Sequence, residues 1–185
     1  MKSALTALLA ICLCLPLMGD DAAKKKFEET KAKAEKGDKI AQFNLGVMYE
    51  NGQGVQKDFK EAEKWWRKAA EQGEPYAQTS LGVMFERGDG VPKDDKEAVK
   101  WYRKAAEQGY AMAQYNLGLN YATGSGVLQD YVTAYAWANI AAANGQKNAT
   151  KLKSEFLEKK MTADQIAKAE ALAKAMIAKN PKLLK

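Results

Sequence analysis

The 185-residue chain has no histidine, and its only two cysteines, Cys12 and Cys14, stand near its start. The commonest general base and metal ligand is therefore missing. Downstream of residue 19 there is no thiol for nucleophilic attack, for a thiolate metal site or for a disulfide. The serines in that part are Ser80, Ser125 and Ser154. None begins an S-x-x-K motif and no K-T-G occurs, so a penicillin-recognising serine site of the usual kind is not encoded. The adjacent carboxylates Asp94 and Asp95 could share acid–base work, but they fit the cap and first turn of a helix. Three Gly-x-Gly-Val loops, beginning at Gly52, Gly88 and Gly124, invite a phosphate reading. They follow a helical pattern instead of a strand and lack the third glycine of a dinucleotide fingerprint, so they read as turns that end helices. No catalytic residue, metal site or cofactor is expected.

The elements that hold these residues repeat. A 36-residue unit starts at Gly37, Gly73 and Gly109; the first two copies agree at 24 positions and the last two at 13. Ala41, Leu45 and Tyr49 become Ala77, Leu81 and Phe85, then Ala113, Leu117 and Tyr121. A spacing of four places each trio on one face of a helix. The Gly-x-Gly loop follows, and then Asp58, Asp94 or Asp130 at the N-cap of a second helix. Glu61 and Glu97, three residues on, predict capping boxes. The second helix carries Ala62, Trp65 and Ala69, then Ala98, Trp101 and Ala105, then Ala134, Trp137 and Ala141. Strict recurrence among small alanines assigns the three tryptophans to the core. A fixed period in this range is the mark of stacked helical hairpins, which present a surface more often than they run a reaction.

The string A-x3-LG-x2-Y-x2-GxGV-x2-D-x3-A-x2-W-x3-AA-x2-G, read from Ala41 to Gly73, resembles the Sel-1-like repeat (SLR) family. The match recurs in all three units, with Phe85 for the tyrosine in the second, and covers about residues 37–145. The 36-residue period separates it from tetratricopeptide repeats, whose period is 34. The resemblance implies an all-α, tetratricopeptide-like fold, a right-handed α/α superhelical solenoid of helical hairpin repeats. It also implies an adaptor role in protein–protein interaction, often in bacterial envelope or host-contact settings, and it transfers no catalytic set. The cysteine-rich branch of that family includes proteins described as β-lactam-binding or β-lactamases. This chain has the repeats without the bridged cysteines, which leaves such an activity as an alternative that the missing groups argue against.

Residues 1–19 read as a secretory signal, with Lys2 followed by an apolar run from Ala4 to Met18 that is short for a membrane span. Cleavage near Leu17-Met18-Gly19 is the expectation. A lipoprotein reading at Cys12 or Cys14 is disfavoured, because Ile11 and Leu13 stand where a small residue is needed. The expected product is periplasmic or secreted. Residues 20–36 read as an N-terminal capping helix, 37–72, 73–108 and 109–145 as the repeats, and 146–185 as a degenerate capping hairpin. Thr162 and Gln165 predict a capping box there, and Pro181 closes the last helix. Residues 20–145 hold 18 Lys/Arg against 19 Asp/Glu, whereas 146–185 hold 10 Lys against 4 Asp/Glu. The basic end reads first as a solvated face. Alternatively it meets anionic headgroups or cell-wall polymers, the only membrane contact expected. It has no arginine and little aromatic interleaving, so nucleic acid is not expected as a partner.

What remains is surface. On the first helices, Phe43 and Val47 point away from the Leu45 face with Asn44 on one flank. Their counterparts are Thr79, Val83, Ser80 and Arg87, then Tyr115, Leu119 and Asn116. If the first helices line a concave wall, these ten residues form a groove of apolar anchors edged by amides, suited to a protein or peptide ligand. Tyr115 and Leu119 would be its best anchors. The other reading is that these positions pack on the neighbouring repeat.

With no cysteine after residue 19, stability should be indifferent to redox state. Thermal unfolding followed by circular dichroism should give one midpoint with and without reductant. A lower midpoint in reductant would mean that Cys12 and Cys14 remain in the folded protein and are bridged.

Overall fold

The computed structural model describes residues 18–184, with side chains from residue 21. The signal segment read over residues 1–19 lies outside them, except that Met18 and Gly19 open the first helix. The described residues form helices joined by short turns and loops, without strands. In order they form α1 (Met18–Glu35), α2 (Lys39–Asn51), α3 (Phe59–Glu71), α4 (Pro75–Arg87), α5 (Asp95–Ala106), α6 (Ala111–Thr123), α7 (Tyr131–Ala143), α8 (Lys147–Lys151) and α9 (Ala163–Lys179). A π-helical turn, Leu152–Leu157, continues α8, and a 3₁₀ turn, Pro181–Leu183, follows α9. The helices alternate as antiparallel hairpins stacked into a right-handed α/α solenoid.

Local chemistry sets the ends of the helices. The side chains of Asp58 and Asp130 each accept from the second and third backbone N–H groups of α3 and α7, at 2.8–3.1 Å. Asp94 accepts from Glu97 N at 2.9 Å. Gly52, Gly88 and Gly124 close the first helices at φ 69°, 79° and 80°, in the left-handed region where a side chain is strained. The capping boxes expected at Glu61 and Glu97 are half made. The aspartate bonds form, but Glu61 turns to Lys64 and to the Trp65 indole, and Glu97 turns to Lys100. A lysine one turn on is a stronger, charged donor than the cap's own N–H. The box at Thr162 and Gln165 is complete.

Packing within a hairpin depends on a second glycine. Leu45, Leu81 and Leu117 are fully buried, and each is followed by a glycine facing the second helix. A methyl group on Gly46 would collide with the Trp66 ring, and one on Gly82 with the Tyr102 ring. The missing side chain is the hole that the aromatic fills. In the third repeat Ala138 stands where Trp66 and Tyr102 stand, and backbone closes in instead: an added carbon on Gly118 would lie 3.2 Å from the Ala134 carbonyl oxygen. The expected core row of Trp65, Trp101 and Trp137 is buried as well.

Between hairpins runs a polar ladder. Gln42, Gln78 and Gln114 are buried at the start of the first helices. Each donates its Nε2–H to a carbonyl at the end of the preceding helix: Ala34 at 3.1 Å, Ala70 at 3.0 Å and Ala106 at 3.2 Å. Each Oε1 in turn accepts from the residue that closes its own hairpin: Gln72 at 2.7 Å, Gln108 at 2.8 Å and Asn144 at 2.9 Å. The shorter Asn144 leaves room for the chain's own end, whose Leu183 carbonyl accepts from both Gln114 and Asn144.

Both ends of the stack are covered. Phe27 and Ala34 of α1 are buried against α2, Phe27 meeting Tyr49 edge-on at 5.4 Å. At the other end α9 packs on α7 through Ala169 and Ala173. Leu152 and Leu157 of the π turn are buried beside Ala149.

Gly82→Ala should destabilise the protein by about 1–3 kcal/mol, the range for forcing a methyl into a packed site. Gly118→Ala should cost less, because its neighbours stand at 3.2–3.4 Å. Urea denaturation gives both values; a neutral Gly82→Ala would show that the glycine is not needed to seat Tyr102.

Candidate functional site

The first helices present their outward residues side by side. Between α2 and α4 this leaves an open cleft of about 250 Å³. That is below the ~300–1,000 Å³ of small-molecule sites and suits one or two side chains of a longer segment. Phe43, Tyr76, Thr79, Ser80, Val83 and Tyr110 line it, with Trp66 and Met84 behind, and with the carboxylates of Glu50 and Asp89. Phe43 and Tyr76 have ring centroids 5.7 Å apart, and Tyr76 and Tyr110 meet at 4.8 Å, so three rings make a continuous row across the starts of three first helices. Trp66 is held by its indole N–H, which donates to the Phe43 carbonyl at 3.2 Å. Tyr76 is 51% exposed, an unusual share for a large ring that a core does not need.

The ten residues singled out from the sequence fall into groups. Phe43, Thr79, Ser80 and Val83 line this cleft together. Thr79 is otherwise tied down, its hydroxyl donating to the Pro75 carbonyl at 2.8 Å. Val47 packs inward on the cluster of Trp66 and Leu81. Asn44 faces a shallow hollow with Thr30, Lys33 and Asp38, beside α1. Arg87 is exposed at the end of α4. Asn116 stands beside the Tyr102 hydroxyl. Tyr115 and Leu119 rest against the cluster built from Leu152, Leu157 and Met161, so the C-terminal hairpin covers the stretch where they would have been anchors.

Sequence reasoning passed over Tyr76, Tyr110 and Asp89. Position 76 corresponds to Ile40 and Met112, apolar in every repeat and without a role in the core pattern. That was the available signal. Tyr110 stands where the other repeats have the acidic residues Asp38 and Glu74, a substitution that converts a cap position into a ring.

Two carboxylates on the first helices differ in their partners. Glu86 accepts from the Tyr102 hydroxyl at 2.9 Å. Burial, and then Glu86, push the Tyr102 hydroxyl far above the ordinary tyrosine range, so it stays a donor. Burial also raises the Glu50 carboxyl above the usual range; Lys57 and Arg87 pull it down and Asp89 pushes it up. Among the described residues no group of three or more His, Cys, Asp or Glu side chains could hold a metal. No helix among them is long and apolar enough to cross a membrane.

The Sel1 repeat family model matches residues 39–74, 75–110 and 111–146 in succession. Among solved structures, a Sel1 repeat protein from Oxalobacter formigenes is 42% identical, with a TM-score of 0.66 over 71% of this chain and 99% of its own. A protective antigen present in uropathogenic Escherichia coli strains, displaying an SLR fold, is 34% identical, with a TM-score of 0.63 over 86% of this chain. The chain spans 42% of that antigen's length. No curated protein matches it.

The placement of Tyr115 and Leu119 has a direct check. Tyr115→Glu with Leu119→Lys should lower the unfolding midpoint clearly, by about 1–3 kcal/mol of stability, since charges would be set against the apolar cap. An unchanged midpoint would show that the C-terminal hairpin does not cover them.

Proposed function

The chain belongs to the Sel1 repeat family, and from that premise we propose that it is an exported adaptor that holds an extended segment of another protein along the face formed by its first helices. Proteins of this family generally serve as scaffolds for protein–protein interaction. The observation that carries the finer reading is the ring row of Phe43, Tyr76 and Tyr110 in an open cleft. Rigid aromatic surface beside hydroxyl groups is the usual make-up of an interface anchor. The cleft is small, and residues of all three repeats line it, which favours a chain segment over a compact ligand. Export rests on Lys2 and the apolar run after it, together with a mature part that has no cysteine to be oxidised. A protective antigen among its structural relatives is in keeping with a protein placed outside the cytoplasm.

The test is capture of partners from envelope extract by the purified chain and by a Phe43→Ala, Tyr76→Ala double variant. Tyr76 is exposed and Phe43 is half-buried at the surface, so the variant should stay folded, with a modest change in midpoint. Capture of a defined protein should fall about tenfold or more, since a few aromatic contacts dominate an interface. Undiminished capture would remove the cleft from the account. Capture lost on replacing lysines of residues 146–185 would move the site to the basic hairpin instead.

A further inference from the structure

We propose that the cleft between α2 and α4 receives a lysine or arginine side chain from an extended segment of a partner protein, its aliphatic stem along Phe43 and Val83 and its cation at the carboxylates of Glu50 and Asp89. This rests on reading the cleft as a docking site and adds the chemistry of what enters it.

Composition comes first. Four aromatic residues and two carboxylates line the cleft, and no lysine or arginine does. A cation beside ring faces is attracted by their quadrupoles, by about 0.5–1 kcal/mol when exposed and more when desolvated. An aliphatic stem can lie on apolar surface while its charged end stays at the mouth. Lysine and arginine combine both properties, whereas an apolar side chain would leave the carboxylates unanswered.

The carboxylates are also available. Among the described residues neither Glu50 nor Asp89 accepts a side-chain hydrogen bond or forms an ion pair. Glu86, the nearest equivalent one repeat on, is taken by Tyr102. The cations close enough to influence Glu50 are Lys57, from the loop after α2, and Arg87, at the end of α4. Lys57 places its ammonium over the Phe59 ring, 4.4 Å from the centroid, and Arg87 is exposed. Burial without a partner holds the Glu50 carboxyl above its usual range. An incoming cation would supply the missing partner and favour its ionised form.

The probes are three fluorescein-labelled peptides that differ at one central position between leucines: lysine, norleucine or glutamate. Fluorescence polarisation reads their binding to the full chain. The lysine peptide should bind about tenfold tighter than the norleucine peptide, the size of a partly desolvated charge contact. Glutamate should bind weakest. A Glu50→Gln, Asp89→Asn variant should bring the lysine and norleucine peptides level. A readout on the unaltered protein stands beside it. Since the Glu50 carboxyl is raised, its charge is lost as pH falls through a range above the ~4.3 of an ordinary glutamate. The lysine advantage should shrink through that range.

Equal affinity for lysine and norleucine, a preference kept by the double variant, or an advantage flat in pH would overturn the proposal. If the peptides bind equally and Phe43→Ala abolishes all of them, docking at the cleft stands and the cation does not. If none binds, both readings fall. Concentration-dependent self-association that disappears in the double variant would assign the site to the lysine-rich end of a second copy, and also overturns it.

Discussion

One buried amide per repeat sets the relation between neighbouring hairpins. Gln42, Gln78 and Gln114 each reach back to the last turn of one helix and accept from the last turn of the next but one. A buried amide left without partners costs about 1–3 kcal/mol, so a hairpin that slid or rotated against its neighbour would break donor and acceptor together. Apolar packing alone tolerates such slippage. The ladder does not, and it therefore fixes where the outward side of each first helix falls. The C-terminal tail joins the same ladder through the Leu183 carbonyl, which locks the final hairpin onto the stack without a disulfide.

With the register fixed, the pairing of Gly46 with Trp66 and of Gly82 with Tyr102 sets the distance within each hairpin. It also divides the labour between aromatic residues. On the second helices Trp66 and Tyr102 fill the holes left by glycine, and Trp65, Trp101 and Trp137 form the buried row. On the first helices Tyr49, Phe85 and Tyr121 pack on the core, whereas Tyr76 stays exposed and Phe43, half-buried on the Trp66 cluster, turns its outer side to the cleft. Tyr110, at the N-cap of α6, completes the row while it packs partly on the core cluster. The cleft is thus a consequence of the core and is preformed, which lowers the ordering cost of binding.

Much of this was legible in the sequence. Spacings of four among Ala41, Leu45 and Tyr49, the glycine loops and the aspartate caps specify helix, loop and helix, and the tryptophan row reads as core because it recurs among alanines. The ladder was on view too, since an Ala-Gln pair occurs in every repeat. Periodicity gives meaning to apolar positions, however, and assigns none to a buried amide whose partners lie 8 and 30 residues away. Tyr115 and Leu119 share the outward positions of Phe43 and Val47, and the sequence alone leaves open whether they line a groove or pack on a neighbour. Symmetry fails at the end of a stack, where a capping hairpin that has lost the repeat pattern still has to bury Leu152 and Leu157 against something. Glu61 and Glu97 satisfied a capping pattern whose second bond lost to a nearby lysine, an outcome of charge and reach that the pattern does not contain.

The proposed binding surface is the cleft of the first helices, and the buried tryptophan row holds the stack. The chain's four tryptophans test this directly, because Trp66 lies behind the cleft while Trp65, Trp101 and Trp137 belong to the core row. Their indole N–H resonances in a nitrogen-15 correlation spectrum can be followed while a captured partner segment is added. Binding at the cleft moves the Trp66 signal and leaves the other three in place. Movement of Trp65, Trp101 or Trp137 with Trp66 unchanged would contradict it.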